Sequence, residues 1–398
     1  MGQRDTEKAS IKTSGRISGK YPETSHEISK SPSTGHPEAT EEIFVNKISV
    51  RNLVEFILRS GDITTSGSGL RDTEAMQEGT RIHQKLQRRM GSRYQAEVSL
   101  SSEFFIAADS EDRIHISNTN FSESADVPPQ KKKEMQKSLR FRILLEGRAD
   151  GIFSDGTGMV IDEIKSVYKD IFSMKEPVPV HLAQALCYAY LYAKQKQLQE
   201  IGVRMTYCHI PTEKVRYFTE HRTLKELERW FYRLLREYAK WCVWQLRWKE
   251  ARNSSVKKLR FPFSYRPGQE DLVKSVYVSI SRKKRLYIEA PTGVGKTIST
   301  VFPAVKSIGE ELTEKIFYLT AKTVTRTVAE ETFSILEKKK TFLKYVTITA
   351  KEKICILEKP ACNPESCERA KGHFDRINDA MYDLLTHENH ISRECIID

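Results

Sequence analysis

The sequence predicts an α/β chain with more than one domain, and three observations predict it. Two apolar, β-branched runs, 146–151 and 160–166, flank a turn at 154–158 that carries two glycines, the pattern of paired antiparallel strands. Stretches of helical apolar periodicity alternate with short strand-like runs on both sides of that hairpin. Far downstream, a second strand-to-helix junction carries a glycine-rich loop at 290–297. At 398 residues the chain has room for two or three cores.

In chain order, residues 1–42 are rich in Ser, Thr, Gly, Pro, Glu and Lys, a composition that cannot bury enough surface to offset ordering entropy, and they are expected to be a disordered tail. A first domain is expected over 43–250. Leu53, Val54, Ile57 and Leu58 form a helical stripe that Gly61 and Asp62 end, and a Ser- and Gly-rich loop follows at 64–69. The spacing then predicts a helix from about 73 to 91, strands at 97–106 and 113–116, and an exposed polar insertion at 118–137 with three consecutive lysines. After the hairpin come a helix at 181–199, strands at 203–210 and 215–219, and a long helix at 223–248. That helix carries Trp230, Phe231, Trp241, Trp244 and Trp248, and helical spacing makes most of these core or domain-interface residues rather than base-stacking platforms. A linker is expected at 251–260, where charge and Ser replace the apolar stripe.

Sixty-five Lys and Arg against 53 Asp and Glu give a net charge of +12, which suits a polyanionic partner and also serves solubility. No run approaches the roughly 18 apolar residues of a membrane span and the N-terminus lacks the apolar core of a signal peptide, so a cytoplasmic protein with no membrane partner is expected. The seven cysteines are then thiols or metal ligands rather than disulfides. Cys187, Cys208 and Cys242 sit in apolar segments as core thiols.

Side chains alternate along a strand, so Glu163 and Lys165 share one side of the hairpin while Asp162 and Ile164 point to the other. Asp150, near the end of the partner strand, is within reach of Glu163. Two carboxylates offer hard oxygen donors for Mg²⁺ or Mn²⁺, and Lys165 can orient a water or stabilise phosphoryl oxygens. Taken alone, these three residues also fit an ordinary hairpin with surface charges. His83 lies in a helical pattern, and Gln184 and Tyr188 lie four apart on one helical face. In this order the positions resemble the PD-(D/E)xK nucleases of the RecB type, over about 45–250. The resemblance implies that His83, Asp150 and Glu163 ligate metal, that Asp150, Glu163 and Lys165 are catalytic, and that Gln184 and Tyr188 contact DNA. Some relatives staple this nuclease with an iron–sulfur cluster using one early cysteine; no cysteine precedes Cys187, so that cluster is not expected.

From Phe261 the pattern changes. A helix leads to the basic run Arg282, Lys283, Lys284 and Arg285, then to a strand at 286–289 that ends in the loop 290–297. This is a Walker A loop with Ala290 in the first glycine position: Gly293 and Gly295 let backbone N–H groups close around phosphates, Lys296 reaches the terminal phosphates and Thr297 holds Mg²⁺. A second parallel strand is expected at 315–323. With Arg266, Pro267, Gly268 and Gln269 upstream, the segment resembles the first RecA-like domain of superfamily 2 helicases of the DinG and XPD type. The resemblance assigns Gln269 to nucleotide recognition and Thr320, Lys322 and Thr323 to a single-stranded DNA track; by sequence alone Gln269 is equally a polar helix start.

Those helicases insert an iron–sulfur domain at this point. Here Cys355, Cys362 and Cys367 follow, with six and four residues between them, in an expected partial cluster domain at 351–398 after a partial RecA-like domain at 261–350. A 4Fe–4S cluster with its fourth ligand outside this chain is the reading by analogy; a zinc site using His373 and three unrelated thiols are the alternatives. No Asp-Glu box follows an apolar strand and no second RecA-like domain follows, so ATP binding without efficient hydrolysis or unwinding is expected. The combined expectation is a DNA-repair nuclease joined to the front of an iron–sulfur DNA helicase, acting on single-stranded DNA or DNA with single-stranded regions. A non-catalytic DNA- and nucleotide-binding fragment is the alternative, and RNA is open as a substrate because phosphate chemistry ignores the 2′-OH.

Overall fold

The computed structural model describes residues 43–64, 69–118, 138–291, 293–321 and 323–397. The expected tail at 1–42, nearly all of the insertion at 118–137, most of the loop at 64–69, Thr292 and Lys322 lie outside the described residues. The chain is mixed α/β, built on a seven-stranded sheet of mixed parallel and antiparallel pairing.

The spine of that sheet is β4 (Leu139–Ser154), which runs antiparallel to β2 (Gln95–Ala108) along nearly its whole length. Its other edge is divided between two partners. Residues 142–146 pair in parallel with β1 (Val45–Ser49), and residues 151–154 pair antiparallel with β5 (Met159–Val167), so the sheet forks at 147–150. Beyond β2 lies β3 (Ile114–Asn118); beyond β5 lie β6 (Glu200–His209), parallel to it, and β7 (Val215–Thr223). β1 was not expected from the sequence.

The β4–β5 hairpin turns as its residues dictate: Asp155 Oδ1 accepts from the backbone N–H groups of Thr157 and Gly158, and Gly156 takes the positive φ that the turn requires. A parallel neighbour needs a crossover, and the helix Pro179–Lys196 supplies it between β5 and β6. Numbering helices in order, α1 is Val50–Leu58, α2 is Gly69–Arg89 and this crossover is α3. Proline opens α3, and Ala183, Ala185, Ala189 and Ala193, all buried, let it lie close to its neighbours. Helix α4 (Leu224–Lys258) starts at a capping box formed by Thr223 and Glu226 and packs outside α3. The core between them is aromatic: Tyr190 stacks on Phe231 with ring centres 4.3 Å apart, and Phe104 approaches Phe231 at 5.3 Å. Helix α2 covers the opposite face of the sheet through Ile82 and Leu86 against Ile164, Cys208 and Ile210. Cys187, Cys208 and Cys242 are buried, in keeping with their apolar segments.

Two expectations are corrected. The linker expected at 251–260 is helical through Lys258, because Ser and charged residues do not break a helix that contains neither Gly nor Pro, and the apolar stripe continues through Val256. Val256 is fully buried against Val301, Phe302 and Val305 of the downstream half, and Asn253 donates to Glu311 at 3.1 Å. The described residues of the strands expected at 286–289 and 315–323 make no ladder, Thr323 instead begins a helix, and Tyr287 and Leu319 are left 88% and 89% exposed. An apolar β-like run becomes a strand only beside a neighbour, and here none of the described residues pairs with either run.

The rest of this half is helical: α5 (Gln269–Ser281), α6 (Lys296–Gly309), α7 (Thr323–Glu337), the short α8 (Lys351–Ile354), α9 (His373–His387) and α10 (Arg393–Ile397). A small parallel pair joins β8 (Tyr345–Val346) to β9 (His390–Ile391). The cysteine-bearing segment folds back on the N-terminal half. Ile63 N–H donates to Ala370 O at 2.9 Å, Phe374 N–H to Gly61 O at 2.9 Å and Gly372 N–H to Asp62 at 2.7 Å, while Tyr382 packs edge-on against Trp241. No helix among the described residues is long and apolar enough to cross a membrane.

Gly151 is where the fold allows no side chain: a Cβ there would lie 1.9 Å from the ring of Tyr94, whose hydroxyl is bound to Asp162. Gly151→Ala is expected to lower stability by about 1–3 kcal/mol in denaturant titrations. Gly158→Ala, with nothing within 4 Å of its Cβ position, serves as the neutral control.

Candidate active site at the fork of the sheet

The β4–β5 ladder ends at Gly151 opposite Asp162, so Asp150 is the next residue along, level with Glu163 and at the crotch of the fork. With no strand carbonyl there, the carboxylate takes over the ladder: Asp150 Oδ2 accepts from Ile164 N–H at 2.7 Å. Its other oxygen, Oδ1, faces His83 Nδ1 of α2 at 3.7 Å, close enough for charge attraction and too long for a hydrogen bond. Gln87, one turn further along α2, fixes the strand from below by donating to the Asp150 carbonyl at 2.9 Å.

Glu163 and Lys165 do share one face, beneath α3. Lys165 Nζ donates to Glu163 Oε1 at 2.7 Å and to Gln184 Oε1 at 2.9 Å, and Gln184 Nε2 approaches Tyr188 Oη at 3.4 Å. Tyr188 lies over Gly147 in the fork, where a Cβ would meet its Cε1 at 2.6 Å. The side chain of Glu163 is only 2% exposed, and its second oxygen, Oε2, is buried with no hydrogen-bond partner. Burial pushes the Glu163 pKa up to about 8; Lys165 opposes this and the Asp150 charge adds to it. The site therefore holds a carboxylate oxygen that lacks the cation or donor it needs. Its donor set is hard oxygen with one imidazole at the rim, which matches Mg²⁺ or Mn²⁺. Among the described residues, no group of three or more His, Cys, Asp and Glu side chains already converges to hold a metal ion, so His83 is near Asp150 without completing a closed cage.

Asp162, on the opposite face, is the residue whose role sequence reasoning missed. It is 1% exposed and accepts from Tyr94 Oη at 2.9 Å, from Arg204 Nε at 3.0 Å and Nη2 at 2.8 Å, and from Thr206 Oγ1. Arg204 is its register partner on β6 and also stacks over Phe153 at 4.2 Å. Nothing in the sequence marks that pairing, because it depends on which strand lies beside β5.

In the second half, the Walker A residues meet at the start of α6. Gly293 and Gly295 take φ of 84° and 79°, Gln269 Nε2 donates to Val294 O at 3.0 Å, and Gln269 Oε1 accepts from Arg266 N–H at 3.0 Å. Gln269 thus braces the loop, more than a polar helix start requires. Lys296 Nζ is folded onto the carbonyls of Ala290 and Pro291, both at 2.9 Å, and Thr297 follows it in the first turn of α6. Of the expected DNA track, Thr320 is exposed, Thr323 is the first residue of α7, and Lys322 lies outside the described residues. Cys355 and Cys362 both lie near the Lys351 ammonium, whose pKa they raise, while Cys367 is buried. The three thiols form no metal-binding group among the described residues.

No family model matches the chain, and no curated protein matches it. Among solved structures, it is similar to one described as the crystal structure of SSO0001, at 14% identity and a TM-score of 0.24 over 48% of this chain and 75% of that chain, a similarity too loose to carry a fold or a function.

The raised Glu163 pKa has a consequence for stability. The folded chain holds that proton more tightly than the unfolded chain, so its contribution is complete below the ordinary value of 4.5 and is lost as pH rises to about 8. Thermal unfolding across this range is expected to show Glu163→Gln gaining on the wild type as pH increases, with Mn²⁺ closing the gap by favouring the ionised carboxylate.

Proposed function

We propose that the unit over 43–250 is a metal-dependent nuclease that hydrolyses phosphodiesters in single-stranded nucleic acid, with DNA as the preferred polymer, and that it is joined to an ATP-binding loop at 290–297. The observation that carries this reading is the unpartnered Oε2 of Glu163, buried beside Asp150 and the Lys165 ammonium. Asp150 and Glu163, with His83 at the rim, would hold Mg²⁺ or Mn²⁺. Such an ion, when bound, supplies positive charge against the phosphate and lowers the pKa of a bound water.

The chain's own groups do the rest. Lys165, steadied between Glu163 and Gln184, presents its remaining N–H to phosphoryl oxygens, where a fixed ammonium in a half-buried site stabilises developing negative charge. Gln184 and Tyr188, on the overlying helix, position the strand. The net charge of +12 raises the local concentration of any polyanion. Gln269, Gly293, Gly295, Lys296 and Thr297 would take the phosphates of ATP with its Mg²⁺, the Lys296 amine exchanging its two loop carbonyls for phosphate oxygens. Cys355, Cys362 and Cys367, the ligands expected for a 4Fe–4S cluster, enter no step of this hydrolysis.

A second reading, a nucleic-acid- and nucleotide-binding module without turnover, is favoured by one observation: no three-ligand metal group is formed among the described residues. Cleavage of end-labelled single-stranded DNA with Mn²⁺ separates the two. The wild-type chain is expected to cut, and Lys165→Ala to lose about a hundredfold or more in rate while keeping its fold. An uncut substrate with Mn²⁺ bound would establish the binding module instead. Independently, Lys296→Ala is expected to weaken ATP binding by about tenfold or more, read by calorimetry, and to leave metal-dependent cleavage unchanged.

A further inference from the structure

One histidine beside the site has its tautomer set by its surroundings. Tyr207 of β6 is the register partner of Lys165, so its ring lies on the Lys165 face of the sheet, and it is fully buried. Its hydroxyl oxygen accepts from the backbone N–H of Val178, just ahead of α3, at 2.9 Å. The same hydroxyl lies 3.1 Å from Nδ1 of His181. With Val178 already donating to it, the Tyr207 oxygen has one hydrogen to place, and His181 Nδ1 is the acceptor beside it. The opposite arrangement, a hydrogen on Nδ1, would aim two donors at Tyr207 and strand its own O–H in the interior. His181 is therefore protonated at Nε2, and that N–H is left for a ligand.

Its position gives the N–H a direction of use. His181, Gln184 and Tyr188 stand three and four residues apart, so they form one stripe along α3 above Glu163 and Lys165. Gln184 is bonded to Lys165, and His181 feels the charges of Lys165 and of Arg51. Burial foremost, then those two cations, push the His181 pKa down to about 4, so the ring is neutral near neutral pH. His181 is half-buried, with its Nδ1 edge on Tyr207.

We propose that His181, held as its Nε2–H tautomer by Tyr207, donates to a phosphodiester oxygen of the strand bound along Gln184 and Tyr188, and so positions the substrate one helical turn from the reacting groups. This inference rests on the nuclease reading for the identity of the ligand, a nucleic-acid backbone, and names a contact the six-residue signature does not contain. A neutral donor suits the place: it grips a phosphate without adding a third cation beside Lys165 and Arg51.

The test uses the full chain and fluorescein-labelled DNA and RNA oligonucleotides of one sequence. Binding is measured by anisotropy in EDTA, where no metal-dependent hydrolysis takes place. His181→Phe, which keeps a ring and removes the donor, is expected to weaken binding about tenfold for both polymers, and His181→Asn, which restores a donor, to recover a large part of it. Under Mn²⁺ cleavage, His181→Phe should raise KM by a similar factor and change kcat by less than about twofold. ¹⁵N NMR of histidine-labelled protein should show His181 protonated at Nε2 in the wild type and mixed in Tyr207→Phe, a signature that a packing role would not produce.

Unchanged affinity in His181→Phe, a loss confined to one polymer, or a wild-type ring protonated at Nδ1 would each overturn the proposal. If His181→Phe does not fold, His181→Asn and the wild-type spectrum decide. The two readings fail separately. A wild type that does not cut, with binding still lost in His181→Phe, removes the nuclease and keeps the contact; a wild type that cuts, with His181→Phe binding normally, does the reverse.

Discussion

The carboxylate of Asp162, closed inside a ring of Tyr94, Arg204 and Thr206, is the interaction on which the N-terminal half depends. Four hydrogen bonds to one buried carboxylate tie β5 to β6 and to the segment before β2, and the guanidinium is sandwiched against Phe153. A buried ion pair of this kind adds little net stability over an apolar pair but tolerates only one register, since a slip by one residue would leave a charge alone in the interior. Fixing β5 in register also fixes the next residue. Glu163 must then face α3, where burial raises its proton affinity and Lys165 is its nearest donor.

The fork in β4 converts that register into a site. Because β1 takes one part of the strand's edge and β5 another, the residues between them are free of ladder bonds on that side. Asp150 uses the freedom to bond Ile164 through its side chain, and Tyr188 fills the space over Gly147 that any Cβ would occupy. A continuous ladder would leave no such gap; the fork brings carboxylate, amine and amide groups from β4, β5 and α3 close together.

The two halves of the chain are mechanically continuous. Helix α4 begins in the N-terminal core at its capping box and ends in the downstream core at Val256, and the 61–63 segment is bonded to 370–374. In that downstream half, the loop at 290–297 is braced by Gln269, while the irregular runs on either side of α6 leave large apolar side chains in solvent. The bracing is local, made by residues within one turn of the loop or by the helix before it; strand pairing is not local, and its absence leaves those runs unpaired.

The hairpin, the sharing of a face by Glu163 and Lys165, the one-helix spacing of Gln184 and Tyr188, and the glycine-rich loop were all legible in the sequence. Each follows from a short-range rule: period two in strands, three and four in helices, positive φ at glycine. The linker misreading at 251–260 came from composition, which says how polar a segment is but not whether Val256 has a partner. The strand at 45–49, the fork at Asp150, the Asp162 ring and the Tyr207–His181 pair were decided by tertiary structure alone. They join residues from β1 to β6 that no periodicity connects, and only the order of strands in the sheet determines which side chains share the same buried space.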